Sequence, residues 1–222
     1  MTVTVETLPI PHECRSALLY GGAFDPPHRA HLELPPLARA AIGCELLVYI
    51  PAAAAPLKDG PVASDANRLA MLRVGLEGTP HTSIATLELD RAGASYTVDT
   101  LREIRDQRPD TALRFLIGAD QARQFHRWRE HEAILDLAEP AVMLRPPLDA
   151  PGALLSEMAA HWSADELSAW RARFIELPPI DASSTRIREL LGARERRDEF
   201  ETLLTPPVLG YIEENALYTG RA

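Results

Sequence analysis

Six short apolar runs punctuate the chain, at residues 17–20, 45–50, 82–89, 113–117, 141–144 and 174–177, and helical spacing fills the stretches between them. That alternation constrains the fold more than any other feature. Strands joined by helix-length crossovers pair in parallel, and a parallel sheet needs apolar cover on both faces. The expected class is α/β, a doubly wound, mostly parallel sheet with helices on both faces. No repeat or linker breaks the pattern, so residues 1–222 are expected to form a single domain. Ligands collect outside the carboxyl ends of such strands, which directs attention to the glycines after the first and fourth runs.

Local signals refine this outline. Gly21-Gly22 closes the first run as a tight turn. Asp25 can cap the helix that follows, Pro26 suits its first position, and residues 30–42 supply helix formers. Pro35-Pro36 predicts a break or kink in that helix, because each proline removes a backbone donor. Ser64 is the capping candidate for a helix marked by Leu69, Leu72 and Leu76. Val98, Leu101 and Ile104 mark the next helix, and residues 163–173 another. The proline-rich stretch 145–151 reads as a surface loop.

Charge and cysteine usage exclude whole classes of partner. With 23 lysines and arginines against 32 acids the net charge is −9, so the molecule as a whole repels nucleic acid and anionic membrane, and neither is an expected partner. Any phosphate it binds must meet a local positive site. Lys58, the only lysine, is a candidate for that role. Cys14 and Cys44 lack both metal-knuckle spacing and the density of a disulfide scaffold, which implies a reducing, cytoplasmic setting. Residues 1–13 carry no basic and apolar signal pattern, and the run 46–57 is too short to span a bilayer and contains Pro51 and Pro56. Neither a signal peptide nor a membrane span is expected.

Two constellations carry chemistry. The first is Gly21-Gly22-Ala23-Phe24-Asp25-Pro26-Pro27-His28-Arg29-Ala30-His31-Leu32. Paired glycines let the backbone approach a bulky anion, and two histidines at i and i+3 share one face near the positive end of a helix. This is a phosphate cradle, but neither a P-loop nor the G-x-G-x-x-G fingerprint. The second, Ala182-Ser183-Ser184-Thr185-Arg186-Ile187-Arg188, opens the last long helical stretch with hydroxyls, free N–H groups and a guanidinium one turn along. Each piece alone has an ordinary explanation as a turn, a cap, a structural histidine or a solvated arginine. Their coincidence at the ends of two strands favours a site.

Read together, these segments resemble the nucleotidylyltransferases with an H-x-G-H motif, and among them the bacterial nicotinate-nucleotide adenylyltransferases. Residues 21–32 are similar to G-G-T-F-D-P-x-H-x-G-H-L, and residues 183–188 to the S-S-T-x-I-R of that family. Ser95-Tyr96-Thr97 with Thr100-Leu101, Ile117-Gly118-Ala119-Asp120 followed by Trp128, and Pro207-Val208 with Tyr211-Ile212 and Leu217-Tyr218 extend the likeness nearly end to end. The stretch 145–170 matches least.

The resemblance implies a Rossmann-like fold and transfer of AMP from ATP to nicotinate mononucleotide, giving a dinucleotide and pyrophosphate without a covalent enzyme intermediate. It implies that His28, His31 and Arg188 are the catalytic residues, the histidines stabilising charge on the transferring α-phosphoryl group and Arg188, with Ser184 and Thr185, binding the β and γ phosphates. Gly21, Gly22, Ala23, Phe24, Lys58, Gly118, Asp120, Ser184 and Thr185 would complete the ATP site. Lys58, Tyr96, Thr97, Asp120 and Trp128 would receive the acceptor, Trp128 either stacking on the pyridine or serving as a half-buried surface aromatic. Mg²⁺ would travel with the ATP phosphates, with no protein metal site. Self-association is common for such sheets.

Several positions depart from the family pattern. Ala23 replaces a threonine and Ala30 the glycine of H-x-G-H. Residues 52–55 are four alanines, and Pro56-Leu57-Lys58 stands where the family has Pro-His-Lys. Arg129 follows Trp128 where a second aromatic is usual. Nicotinamide mononucleotide or another phosphomonoester therefore remains an alternative acceptor, and a nucleotide-binding protein that has lost catalysis an alternative function. A dehydrogenase fails on the glycine pattern.

Overall fold

A computed structural model describes residues 2–53, 62–91, 93–144, 150–193 and 197–219. Seven strands, β1 (Thr4–Glu6), β2 (Ser16–Gly22), β3 (Leu46–Pro51), β4 (Thr82–Ala85), β5 (Ala112–Gly118), β6 (Glu139–Met143) and β7 (Phe174–Ile175), form one sheet in the order β1-β4-β3-β2-β5-β6-β7. Every strand pair is parallel. From β2 the chain winds outward through β3 and β4, then returns to β5 beside β2 and winds the other way. The order therefore reverses between β2 and β5, the place where such sheets bind ligands.

The helices are α1 (Arg29–Ile42), α2 (Asp65–Gly75), α3 (Leu87–Asp90), α4 (Thr97–Gln107), α5 (Ala119–Arg123), α6 (His131–Leu137), α7 (Pro151–Met158), α8 (Ala164–Ala172), α9 (Ser184–Ala193), α10 (Arg197–Leu203) and α11 (Pro206–Glu214). Alternation along the strands divides them between two cores. Ala17, Leu19, Val48, Ile50, Phe115 and Ile117 face α4, α5, α7 and α8. Leu18, Tyr20, Leu47, Tyr49 and Leu116 face α1, α2, α9 and α11.

Four local expectations are corrected. Strand β1 was not evident, since three residues are too few to reveal alternation. The run 82–89 splits after Ala85, because the Thr86 hydroxyl donates to the Asp90 carboxylate at 2.7 Å and the Asp90 N–H to the Thr86 carbonyl at 2.9 Å, closing a helical turn. Pro151, assigned to a loop, instead begins α7, where a missing N–H leaves no intrahelical bond unmade. Helix α1 runs unbroken through Pro35 and Pro36. The carbonyl that Pro35 leaves without its helical donor is that of His31, and the Tyr49 hydroxyl donates to it at 2.8 Å.

Candidate active site

The site is built at the reversal point, beginning with glycines that belong to the strand and not to a turn. Gly21 and Gly22 lie within β2 and pair in register with Ile50 and Pro51. A Cβ at Gly22 would lie 2.9 Å from the Phe24 ring, which folds back over it, whereas one at Gly21 would meet only the Ile50 carbonyl at 4.0 Å. A side chain at Gly22 would thus displace the Phe24 ring, while among the described residues one at Gly21 would make only an ordinary contact. Phe24 takes a positive φ of 51°, and Ala23 and Ala30 do not, so alanine is unstrained at both departures from the family pattern.

Asp25 does not cap the helix. The N-cap of α1 is His28, and the buried Asp25 carboxylate instead ties distant segments together. It accepts from the backbone N–H groups of Val62 at 2.7 Å and Ala63 at 3.1 Å, and from the Tyr218 hydroxyl at 2.6 Å. Burial and that bond to a carboxylate raise the Tyr218 hydroxyl far above its ordinary range, so it remains a donor. Arg188 on α9 donates to the Asp25 carbonyl at 2.6 Å and approaches its carboxylate at 3.8 Å. The Ser184 hydroxyl, expected to face phosphate, donates to the Pro26 carbonyl at 2.9 Å, and Thr185 accepts from Arg188 at 3.3 Å. Both constellations are therefore joined through one turn.

The two histidines stack, with ring centroids 3.6 Å apart and planes inclined by 17°. The His28 N–H donates to Nδ1 of His31 at 3.4 Å. A nitrogen that accepts cannot carry the proton, so in its neutral form the His31 ring holds its proton at Nε2. Behind it Phe24 stands edge-on at 5.4 Å and Tyr20 at 6.2 Å.

Across the reversal point the other candidates sit at helix starts. Tyr96 is the N-cap of α4, Thr97 its first residue, and both are half-buried. Gly118 ends β5 and caps α5, its N–H donating to Gln121 at 3.0 Å, and Asp120 lies in the first turn. The Arg129 guanidinium lies 4.7 Å from the centre of the Tyr96 ring and is also paired with Asp99 at 3.5 Å and Glu130 at 3.6 Å. Trp128 is half-buried against Phe125, with ring centroids 5.0 Å apart. Beneath α4, Thr100 donates to the buried Glu88 at 2.7 Å and accepts from Arg91 at 2.9 Å. Lys58 lies outside the described residues.

A model of the Cytidylyltransferase-like family matches residues 19–190, spanning both constellations. The chain belongs to that family. It is 36% identical over 209 residues to a protein of Chromobacterium violaceum named "Probable nicotinate-nucleotide adenylyltransferase", covering 90% of this chain and 97% of that one. A protein of Laribacter hongkongensis with the same name is 37% identical over 208 residues, covering 90% of this chain and 93% of that one. Among solved structures, Plasmodium falciparum nicotinic acid mononucleotide adenylyltransferase complexed with NaAD superposes with a TM-score of 0.74 at 17% identity, covering 93% of this chain and 98% of that chain. This likeness shows a shared fold.

Within this cytidylyltransferase-like fold, sequence reasoning missed Arg68, Tyr49 and the clamp made by Asp25. Arg68 is fully buried on α2 and donates to the carbonyls of Ala23 at 2.6 Å and Ala52 at 2.7 Å, and to Asp65 at 2.6 Å. It pins the segment after β2 to the segment after β3. Nothing distinguished it among the many arginines. Tyr218 did stand in a segment resembling the family, but its partner lies 193 residues away.

Proposed function

We propose that this chain transfers AMP from ATP to nicotinate mononucleotide, forming deamido-NAD and releasing pyrophosphate. The observation that carries the reading is the stacked His28 and His31 pair at the positive end of α1, tied through Asp25 to the Arg188 guanidinium at the sheet's reversal point. The acceptor's phosphate oxygen attacks the α-phosphorus in line as the bond to the bridging oxygen of pyrophosphate breaks. Such a displacement asks for positioning and charge neutralisation more than for a protein nucleophile.

In this reading Nε2–H of His31 donates to an α-phosphoryl oxygen, and its bond strengthens as charge gathers there. Arg188, Thr185 and the N–H groups at the start of α9 receive the β and γ phosphates. The missing side chain at Gly21 suits the nucleotide's close approach, with Phe24 and His28 beside the His31 ring. Tyr96, Thr97, Asp120 and Trp128 hold the acceptor. Hydroxyl and N–H donors favour a pyridine carboxylate over an amide, which also needs an acceptor.

Mg²⁺ would be carried by the ATP phosphates and would offset part of their charge. The Asp25 carboxylate, already engaged by two N–H groups, a phenol and a guanidinium, is not available to a cation. Site residues run from Gly21 to Tyr218, which supports treating 1–222 as one catalytic unit. Two buried, unpaired thiols, Cys14 and Cys44, suit a cytoplasmic setting, and no helix among the described residues is long and apolar enough to cross a membrane.

The deciding experiment measures pyrophosphate release from ATP and Mg²⁺ with nicotinate mononucleotide and nicotinamide mononucleotide in parallel. Strong preference for the acid is expected. Release with neither, despite ATP binding, would overturn the reading.

A further inference from the structure

The proline inside α1 bears directly on the histidine pair. In a helix the N–H at position i bonds the carbonyl four residues earlier, so Pro35 withdraws the donor that His31 would otherwise have. Tyr49, fully buried on β3, restores it at 2.8 Å. Burial, with Tyr20 beside it, raises the Tyr49 hydroxyl well above its ordinary range, so its proton stays in place. The Tyr49 ring also touches Tyr20 at 5.6 Å and Phe24 at 5.7 Å, the two rings that flank the His31 imidazole. A phenylalanine would keep that packing and lose only the donor. A residue with an N–H at 35 would make the donor redundant.

We propose that Tyr49 is a positioning residue for His31, replacing the helical hydrogen bond that Pro35 removes and so holding the imidazole in place for the transferring phosphoryl group. The inference rests on the adenylyl-transfer reading above. It treats Tyr49 and Pro35 as a matched pair, so changing one alone and both together must give different results.

The test compares Tyr49→Phe, Pro35→Ala and the double variant in the full chain. Tyr49→Phe should lower kcat about tenfold with KM for ATP held within about twofold, because misplacing a group that acts in the transition state spares ground-state binding. Pro35→Ala should stay near wild type. The double variant should recover most of the lost kcat, since the alanine returns an N–H to the His31 carbonyl. In parallel, ¹⁵N NMR of the His31 ring should move in Tyr49→Phe and revert in the double variant. Wild-type kcat in Tyr49→Phe, or a loss that Pro35→Ala does not restore, overturns the proposal. If Tyr49→Phe is too unstable to assay, a folded double variant with low kcat overturns it, and one with wild-type kcat supports it. Ring signals that move and revert in a protein without any turnover would sink the adenylyl-transfer reading and leave the positioning role standing.

Discussion

The two sides of the reversal point are built differently. On the α1 side, residues from five separate stretches meet at one turn: Ala23 to His31, Tyr49, Val62 to Arg68, Ser184 to Arg188, and Tyr218. The Asp25 carboxylate, the Arg68 and Arg188 guanidiniums, the Ser184 hydroxyl and the His31 carbonyl are each bonded to another segment. On the α4 side Tyr96, Thr97, Gly118 and Asp120 stand at the starts of helices and Trp128 follows a short 3-10 turn, all half-buried, beside a surface network of Arg129, Asp99, Arg102 and Glu130. Pairs exposed to solvent hold geometry weakly. The contrast suits a reaction in which one side must present charge at a set position, while the other recognises a flat ring.

The sharpest way to break this comparison is at His31. His31→Ala should lower turnover by about a thousandfold while changing KM for ATP only a fewfold, because a donor to the transferring group acts mainly in the transition state. Steady-state pyrophosphate release checks it, and wild-type turnover would remove His31 from the chemistry. Asp25→Asn comes next. Removing the buried charge that faces Tyr218, Val62, Ala63 and Arg188 should cost about 2 kcal/mol in urea unfolding and weaken ATP binding with it. Unchanged stability would mean that the clamp does not hold the cradle together.

On the other side, Trp128→Ala should raise KM for the mononucleotide roughly tenfold and leave ATP affinity unchanged if the ring stacks on the pyridine. An unchanged KM would assign Trp128 to packing on Phe125 alone. The smallest effect is expected at Glu88, where burial raises the carboxyl above its usual range and the Thr100 and Ser95 hydroxyls pull it part of the way back. A raised folded-state value gives stability that is present below the unfolded value and lost as pH rises through the folded one. Glu88→Gln escapes that loss, so its melting temperature should gain on the wild type as pH rises above the ordinary carboxylate range, about pH 4. A gap that does not change with pH would mean that Glu88 titrates alike folded and unfolded.

How far each part was legible follows the range of the forces involved. The strand runs other than 82–89, the Ser64 cap, which accepts from the Asn67 N–H at 3.3 Å, and the helix marked by Val98, Leu101 and Ile104 rest on neighbours within a turn or a pleat and could be read directly. The histidine pair was legible for the same reason. Asp25 was misread because an aspartate before a proline satisfies the local capping rule, while three of its true partners lie 37, 38 and 193 residues away. Pro35-Pro36 was misread as a break because a lost helical donor is a local fact, and the phenol that replaces it comes from another strand.

The sequence by itself therefore determined the class of fold, six of the seven strands, and the two segments that meet at the site, since periodicity, glycines and closely spaced motifs express local physics. Tertiary structure alone decided which face each side chain serves. It turned Asp25 from a cap into a clamp, set the His31 tautomer through the His28 N–H, buried Arg68 between two loops, and supplied Tyr49 to a carbonyl exposed by proline. A polar group taken out of water must find a partner wherever the fold brings one near, and that partner's position in the chain is not constrained by the residues on either side of it.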